Sequence, residues 1–348
     1  SQMDGRMRPL PQVDRAAWGP IPRINVSLKP SSLYSRFDAL DIEGTIAAVK
    51  ERLRPILAEA RRAGAHVHLD MEQYAHKDVT LRLFREILIE EEFRDWHDAG
   101  IVIQAYLRDA GEDLEALRDW ARQRGTPVWV RLVKGAYWDY ETVIAAQKEW
   151  PVPVFTRKWE TDASFERLSR FLLESHEILR PAIGSHNVRS VAYTIAVADQ
   201  LGVAPGTVEY QVLYGMGDRL GAALARRGER VRVYVPYGEL IPGMAYLVRR
   251  LLENTSNESF LRQSFAEKTP EEELLRNPVE TGREAQEPRA PAPALPVAAV
   301  PPSPVSGDGE AGRRRGREAG AAATPVAGRR GGAAGSTEMR AVAPSGCP

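Results

Sequence analysis

Between residues 22 and 265 the apolar positions recur at two alternating spacings. Short segments place an apolar side chain at every second position, and each is followed by a longer segment with apolar side chains three and four apart. The first spacing is that of a strand and the second that of a helix laid against a core. "RINVSLK" (23–29) predicts a strand and "TIAAVKERLRPILAEARRAG" (45–64) an amphipathic helix. "HVHLDME" (66–72) leads to helical "VTLRLFREILIEEEFRDW" (79–96), and "GIVIQAYL" (100–107) to "EDLEALRDWARQRG" (112–125). "PVWVRLVKG" (127–135) precedes a segment opening at Asp139. "DASFERLSRFLLESHEIL" (162–179) leads to a short strand ending in "GSHN" (184–187) and a helix from Arg189 to Leu201. "GTVEYQVLYG" (206–215) and "RVRVYVPYG" (230–238) are further strands, each followed by a helix, the last being "GMAYLVRRLLEN" (243–254).

Seven consecutive strand-then-helix units argue a parallel sheet with its helices outside. An open doubly wound sheet and a closed (β/α)8 barrel share that pattern, and the polar positions decide between them. Lys29, Asp70 with Glu72, Gln104, Arg131 with Lys134, His186 with Asn187, Gln211 and Tyr234 fall in or just past the C-terminal halves of successive strands. In a barrel these positions converge on one mouth, whereas an open sheet would spread them along a line. The expectation is an α/β (β/α)8 barrel over residues 22–267, apparently lacking one strand, behind an irregular segment at 1–21.

From about Lys268 the pattern stops. Stretches such as "EPRAPAPALPVAAVPPSPV" are rich in Pro, Ala, Gly and Arg and cannot bury enough surface to offset chain entropy, so residues 268–348 read as a disordered tail. Its Arg313, Arg314, Arg315 and Arg317 suit nucleic acid or acidic lipid, but a solvated tail explains them as simply. The whole chain carries 47 basic and 47 acidic residues, which argues against a dedicated nucleic-acid binder. The single cysteine, Cys347, excludes an internal disulfide and a Cys-based metal site, and fits a reducing cytoplasmic compartment. The opening "SQMDGRMRPLPQV" has no apolar stretch of a secretion signal, and no apolar run approaches the ~20 residues of a membrane span. The first residue is Ser, which suggests a fragment or a processed start.

The strand in "VWVRLVKGAYWDYE" (128–141) carries Arg131 in its interior and Lys134 at its end. A buried cation needs an anion or a ligand. Salt bridges at the rim, an electropositive floor for an electron-accepting cofactor, and a Schiff-base Lys134 all satisfy that need; the last fits poorly beside an arginine. Asp70 and Glu72 share one face of their strand, as rim charges or as an acid–base couple. His186 has no second histidine at ligand spacing, so no metal is expected. In "YLVRRLLEN" (246–254) one helical face can present Tyr246 with Arg249 or Arg250, while Glu253 can orient either arginine. Two adjacent arginines suit a bidentate clamp for a carboxylate, or else a solvated face of ion pairs. Gly215, Gly217 and Gly221 are spaced one residue too wide for a dinucleotide-binding fingerprint.

"INVSLKPSSLY", "HLDMEQY", "GIVIQAYLRDA", "VRLVKGAYWDYE", "PVFTRKWETD", "GSHN", "EYQVLYGMG" and "YVPYGELIPGMAYLVRRLLENTSNESF" together resemble, in the same order, the proline dehydrogenase domain of the bacterial proline utilization A flavoenzymes. The resemblance covers roughly residues 22–266. It implies a distorted barrel with FAD across its C-terminal mouth, oxidising L-proline to Δ1-pyrroline-5-carboxylate and passing the electrons to a membrane quinone. On that implication the chain is cytoplasmic, with a peripheral contact to the inner face of the membrane. Arg131 would lie at the reactive edge of the flavin, with Gln104 also at the ring system. Val133, Lys134, Gly135, Ala136, Tyr137, Trp138, Ser185, His186 and Glu253 would hold the rest of the cofactor. Lys29, Arg249 and Arg250 would clamp the proline carboxylate, and Asp70, Leu213, Tyr234 and Tyr246 would shape the pocket.

The chain departs from the family in four places, one of them Ser185, where close relatives often have Thr. The family's first strand and its loop have no counterpart before Ile24, Pro30 follows Lys29 where an apolar residue is common, and no aldehyde dehydrogenase domain follows. That second activity would come from another chain. The missing strand raises the alternative of a non-catalytic fragment unable to close its barrel. Weaker rivals are a lyase or aldolase using Lys134 and a nucleic-acid binder driven by the tail.

Overall fold

The structure, a computed structural model, describes residues 14–16, 18–238, 241, 243–244, 246–248, 250 and 270–286. A short antiparallel hairpin, β1 (Arg15–Ala16) and β2 (Gly19–Pro20), leads into seven parallel strands. These are β3 (Asn25–Leu28), β4 (His66–Leu69), β5 (Ala99–Gln104), β6 (Val128–Val133), β7 (Leu179–Gly184), β8 (Glu209–Leu213) and β9 (Arg230–Tyr234). Each strand pairs with its neighbours in chain order, and β3 and β9 are not paired with each other. The sheet is therefore a curled half-barrel open at one seam, a (β/α)8 architecture short of one strand.

Helices α1 (Ile42–Arg62), α2 (Lys77–Leu88), α3 (Ala110–Arg124), α4 (Trp138–Lys148), α5 (Lys158–Glu174), α6 (Val188–Gln200) and α7 (Asp218–Arg227) fill the connections. The Asp41 side chain caps α1 by accepting from the Gly44 N–H at 2.9 Å. The buried Ile46, Val49, Leu53, Leu57 and Ala60 then line one face at spacings of three and four. A side chain as fully covered as Leu53 stabilises the fold by about 1.5–3 kcal/mol.

The strands use both faces. On β6, Val128, Val130 and Leu132 join the apolar core, while Trp129 and Arg131 alternate with them and point into the barrel. That interior is unusually polar. At its floor the Trp18 and Trp129 rings meet edge to face at 5.8 Å, with the Arg180 guanidinium 4.8 Å from the Trp18 ring. Burial lowers the Arg180 pKa to about 10, with Asp98 opposing the shift. His66 and His68 lie against each other at 2.5 Å between Nε2 and Nδ1. Burial first, and then the surrounding arginines, hold both rings neutral, well below the usual histidine range. Above them the buried Glu209 accepts from Arg232 Nε at 2.8 Å and Nη2 at 2.9 Å, and from Gln211 Nε2 at 2.7 Å.

Arginines also reach across the seam. Arg230 Nη2 donates to the Arg15 carbonyl at 2.8 Å, and Arg232 Nη1 to the Arg23 carbonyl at 3.4 Å. The hairpin thus ties the last strand to the segment entering the first one, within residues expected to be irregular.

Two further helices, α8 (Glu271–Leu274) and α9 (Pro278–Gln286), fall inside the segment expected to be tail, and α9 packs on α5. The α carbon of Gly282 lies so close to the Trp159 ring that an added Cβ would come within 2.6 Å. Arg189, paired with Glu166, donates to the Leu275 carbonyl at 3.0 Å. The rest of the expected tail lies outside the described residues. The expected helix over 79–96 ends at Leu88. There Arg124 donates to the carbonyls of Leu88, Phe93 and Trp96, a tertiary contact that satisfies the turn in place of another helical repeat.

Candidate active site

Every strand of the sheet delivers a predicted residue at its carboxyl end. Lys29 follows β3, Asp70 follows β4, Gln104 closes β5, Val133 closes β6, Ser185 follows β7, Leu213 closes β8 and Tyr234 closes β9. Parallel pairing puts all of these residues at one end of the sheet, and the curl of the sheet brings them to one mouth.

Arg131 is the hub. Its Nη1 donates to Asp70 Oδ1 at 2.8 Å and its Nη2 to Ser27 Oγ at 2.8 Å. The guanidinium carbon stands 5.6 Å from the Tyr234 ring centroid. Tyr234 stacks with Tyr246 at 6.3 Å, and the Arg250 guanidinium lies 5.2 Å from the Tyr246 ring. One line of cations and rings therefore joins β6, β9 and the helical residues between 241 and 250. Arg249 and Glu253 lie outside the described residues.

Burial raises the Asp70 pKa above the usual carboxylate range, against the opposing pull of the Arg131 and Lys29 charges. The Tyr234 hydroxyl is pushed up to about 12, first by burial and then by the Asp70 charge, so the ring is a neutral wall at physiological pH. His186 Nε2 accepts from the Leu213 N–H at 2.9 Å, which leaves the ring proton on Nδ1. Burial, and then the Arg250 charge, lowers its pKa to about 4.

Lys134 points elsewhere than Arg131. It pairs with Asp162 on α5, which Lys158 also contacts at 2.7 Å, and it stands 5.9 Å from the Phe165 ring centroid. Burial lowers its pKa despite Asp162. Glu72 accepts from the Ser31 hydroxyl at 2.8 Å and anchors the turn after Lys29, and its charge adds to the upward shift of Asp70. Ser185 Oγ accepts from the Asn187 N–H at 3.1 Å. Trp138 Nε1 donates to the Phe155 carbonyl at 2.8 Å, and Tyr137 caps the start of α4. Just before them Ala136 is exposed and Gly135 half-buried.

Two features fit a flat cofactor with polar ring edges. Gln104 Oε1 and Arg131 Nε are buried and, among the described residues, have no hydrogen-bond partner. Such groups cost about 1–3 kcal/mol each unless something pairs with them. They lie on adjacent strands, on the same face, since Val102 registers with Arg131 and Gln104 with Val133. The second feature is Gly135, at a φ of 138°, whose added Cβ would come within 2.5 Å of the Tyr106 ring. The backbone after Lys134 thus carries no side chain and packs directly on the Tyr106 ring. Among the described residues no three His, Cys, Asp or Glu side chains form a metal-sized group.

Ser27, Glu209 and Asp162 are the polar partners that motif reading passed over. Ser27 shares the face of Lys29 in "VSLK", and Glu209 and Gln211 alternate in "EYQVL", so strand periodicity placed these two inward. Asp162 sits on a helix, and its partner, some thirty positions earlier, has no local signal.

A model of the proline dehydrogenase family matches residues 5–263. The chain is 33% identical over 262 residues to the bifunctional protein PutA of Klebsiella aerogenes, covering 73% of this chain and 20% of that protein. It is 32% identical over 243 residues to proline dehydrogenase 1 of Bacillus subtilis (strain 168), covering 70% of each. Among solved structures, proline utilization A from Bdellovibrio bacteriovorus inactivated by N-propargylglycine superposes with a TM-score of 0.79 at 48% identity, over 80% of this chain and 29% of that one. The chain thus spans a fifth of the length of the bifunctional relative.

Proposed function

The chain belongs to the proline dehydrogenase family, and from that premise we propose that it binds FAD at the barrel mouth and oxidises L-proline to Δ1-pyrroline-5-carboxylate. The electrons would then pass to a membrane quinone. The observation that most supports this reading is the line from Arg131 through Tyr234 and Tyr246 to Arg250. It brings a cation suited to an electron-accepting ring and a cation suited to a carboxylate to the same mouth.

Bound FAD supplies the acceptor for the two electrons that leave proline. Gln104 and Arg131 would meet its ring system, and residues 133–138 with Ser185 and His186 the rest of its length. Arg250 and Lys29, with Arg249, would bind the substrate carboxylate. Tyr234, Tyr246 and Leu213 would exclude water and hold the pyrrolidine ring in one orientation, which lowers the barrier by supplying the entropy of alignment in advance. Arg131 keeps a fixed positive charge beside the site of developing negative charge, and Asp70 sets its direction. The quinone would be met at a peripheral membrane contact, as the resemblance implies; no helix among the described residues is long and apolar enough to cross a membrane.

Steady-state oxidation with a soluble quinone analogue tests the reading. The FAD-loaded chain should turn over L-proline and ignore D-proline. Arg250→Met should raise KM at least about tenfold with a smaller fall in kcat, because the clamp binds ground and transition states alike. A chain that binds FAD and shows no proline-dependent turnover would instead be a non-catalytic fragment of the family.

A further inference from the structure

We infer that Ser27 is a positioning residue for Arg131, keeping its guanidinium directed at the flavin by preventing it from closing onto Asp70. The inference rests on the flavin reading given above.

An arginine beside a carboxylate favours two parallel hydrogen bonds, because the two planar forks match. Arg131 and Asp70 do not form that pair. Only Nη1 reaches Asp70, while Nη2 is held by Ser27 Oγ at the same distance of 2.8 Å. The two acceptors come from different strands and different heights. Ser27 registers with His68 on β4, and Asp70 stands two residues beyond His68 towards the mouth. A planar group held at two such points cannot rotate in its own plane. Nε is thereby left buried with no partner among the described residues.

The chemistry requires the Ser27 oxygen to be the acceptor, since a guanidinium has only donors. Without it, Nη2 would be a buried, unpaired donor, and the nearest remedy is a two-point contact with Asp70. Whether that contact uses both Nη groups or Nε with Nη1, the guanidinium turns away from its present direction. Ser27 also sits on β3, an edge of the open seam, so it links the first strand to the centre of the barrel without a backbone pairing.

Flavin affinity and the titration of Asp70 test the inference together. Ser27→Ala should weaken FAD binding about tenfold, the factor expected for one hydrogen bond to a charged group. Ser27→Thr, which keeps the hydroxyl, should stay near the parent chain. In an Asp70→Asn background Ser27→Ala should cost under about threefold, because the charge that captures Arg131 is gone. Equal loss in both backgrounds, or equal loss for Ala and Thr, would make Ser27 a packing residue and overturn the inference. The Asp70 carboxyl, followed by NMR in the flavin-free chain, should titrate at lower pH in Ser27→Ala than in the parent, since two-point pairing favours the carboxylate. An unchanged titration would also overturn it. If the parent chain takes up no FAD, the proposed function falls, and the Asp70 titration still decides what Ser27 does.

Discussion

Glu209 is the most consequential anion inside the barrel, and its removal has a calculable cost. It is 1% exposed and accepts three hydrogen bonds, two from Arg232 and one from Gln211. Arg230 is close by, with burial lowering its pKa to about 10 and Glu209 opposing that shift. Glu209→Ala leaves two arginines in the interior without their counter-charge, and breaking a buried pair from one side costs about 3–5 kcal/mol. For a domain of this size each kcal/mol moves Tm by about 2–4 °C, so the expected fall is roughly 6–20 °C. Glu209→Gln keeps an acceptor and should lose less. Exchanging both partners, Glu209→Met with Arg232→Met, should recover part of the loss, because only Arg230 is then left without its counter-charge. It should not recover all of it, since Arg232 also ties the seam at the Arg23 carbonyl. Thermal unfolding by circular dichroism at pH 7 reads all three variants. A fall below about 2 °C for Glu209→Ala, or a double variant as unstable as the single one, would refute the view that an ion pair holds the open barrel together.

Three other outcomes follow from the geometry. Gly135→Ala should destabilise by about 1–3 kcal/mol and weaken FAD binding, because its φ of 138° and the nearby Tyr106 ring both oppose a Cβ; thermal shift with and without FAD checks it. His186 has a folded pKa of about 4, below the value near 6.5 of the unfolded chain, so the unfolded state binds more protons between those values. Stability should therefore decline as pH falls through that window, and urea unfolding of His186→Gln should show a shallower decline than the parent. Gly282→Leu should undock α9 from Trp159, seen as faster proteolysis near residues 270–286 with an unchanged barrel Tm.

The strands and most helices were legible because each follows from a local repeat. "VWVRLV" announces both its strand and the inward direction of Arg131, since alternate residues must face opposite ways. The convergence of Lys29, Asp70, Gln104 and Tyr234 then follows from parallel pairing in a curled sheet. The partners were less legible. That Lys134 faces Asp162 instead of Arg131 depends on how α5 crosses the barrel, which no local spacing encodes. The end of α2 at Leu88 depends on Arg124 from another helix. The β1–β2 hairpin has two-residue strands and no periodicity, and its Trp18 has meaning only against Trp129 and Arg180. In "TPEEELLRNPVETGREAQ" the charge density concealed two helices, one of which presents a small residue to Trp159.

A curled mouth of the seven strands found among the described residues should suffice to hold a flavin against proline. The visible spectrum of the FAD-loaded chain, recorded before and after anaerobic L-proline, tests it most directly. The expected result is a bound oxidised-flavin spectrum that bleaches on adding L-proline, with weaker flavin binding and slower bleaching in Arg131→Met. Bound flavin that L-proline leaves oxidised in the parent chain would contradict it.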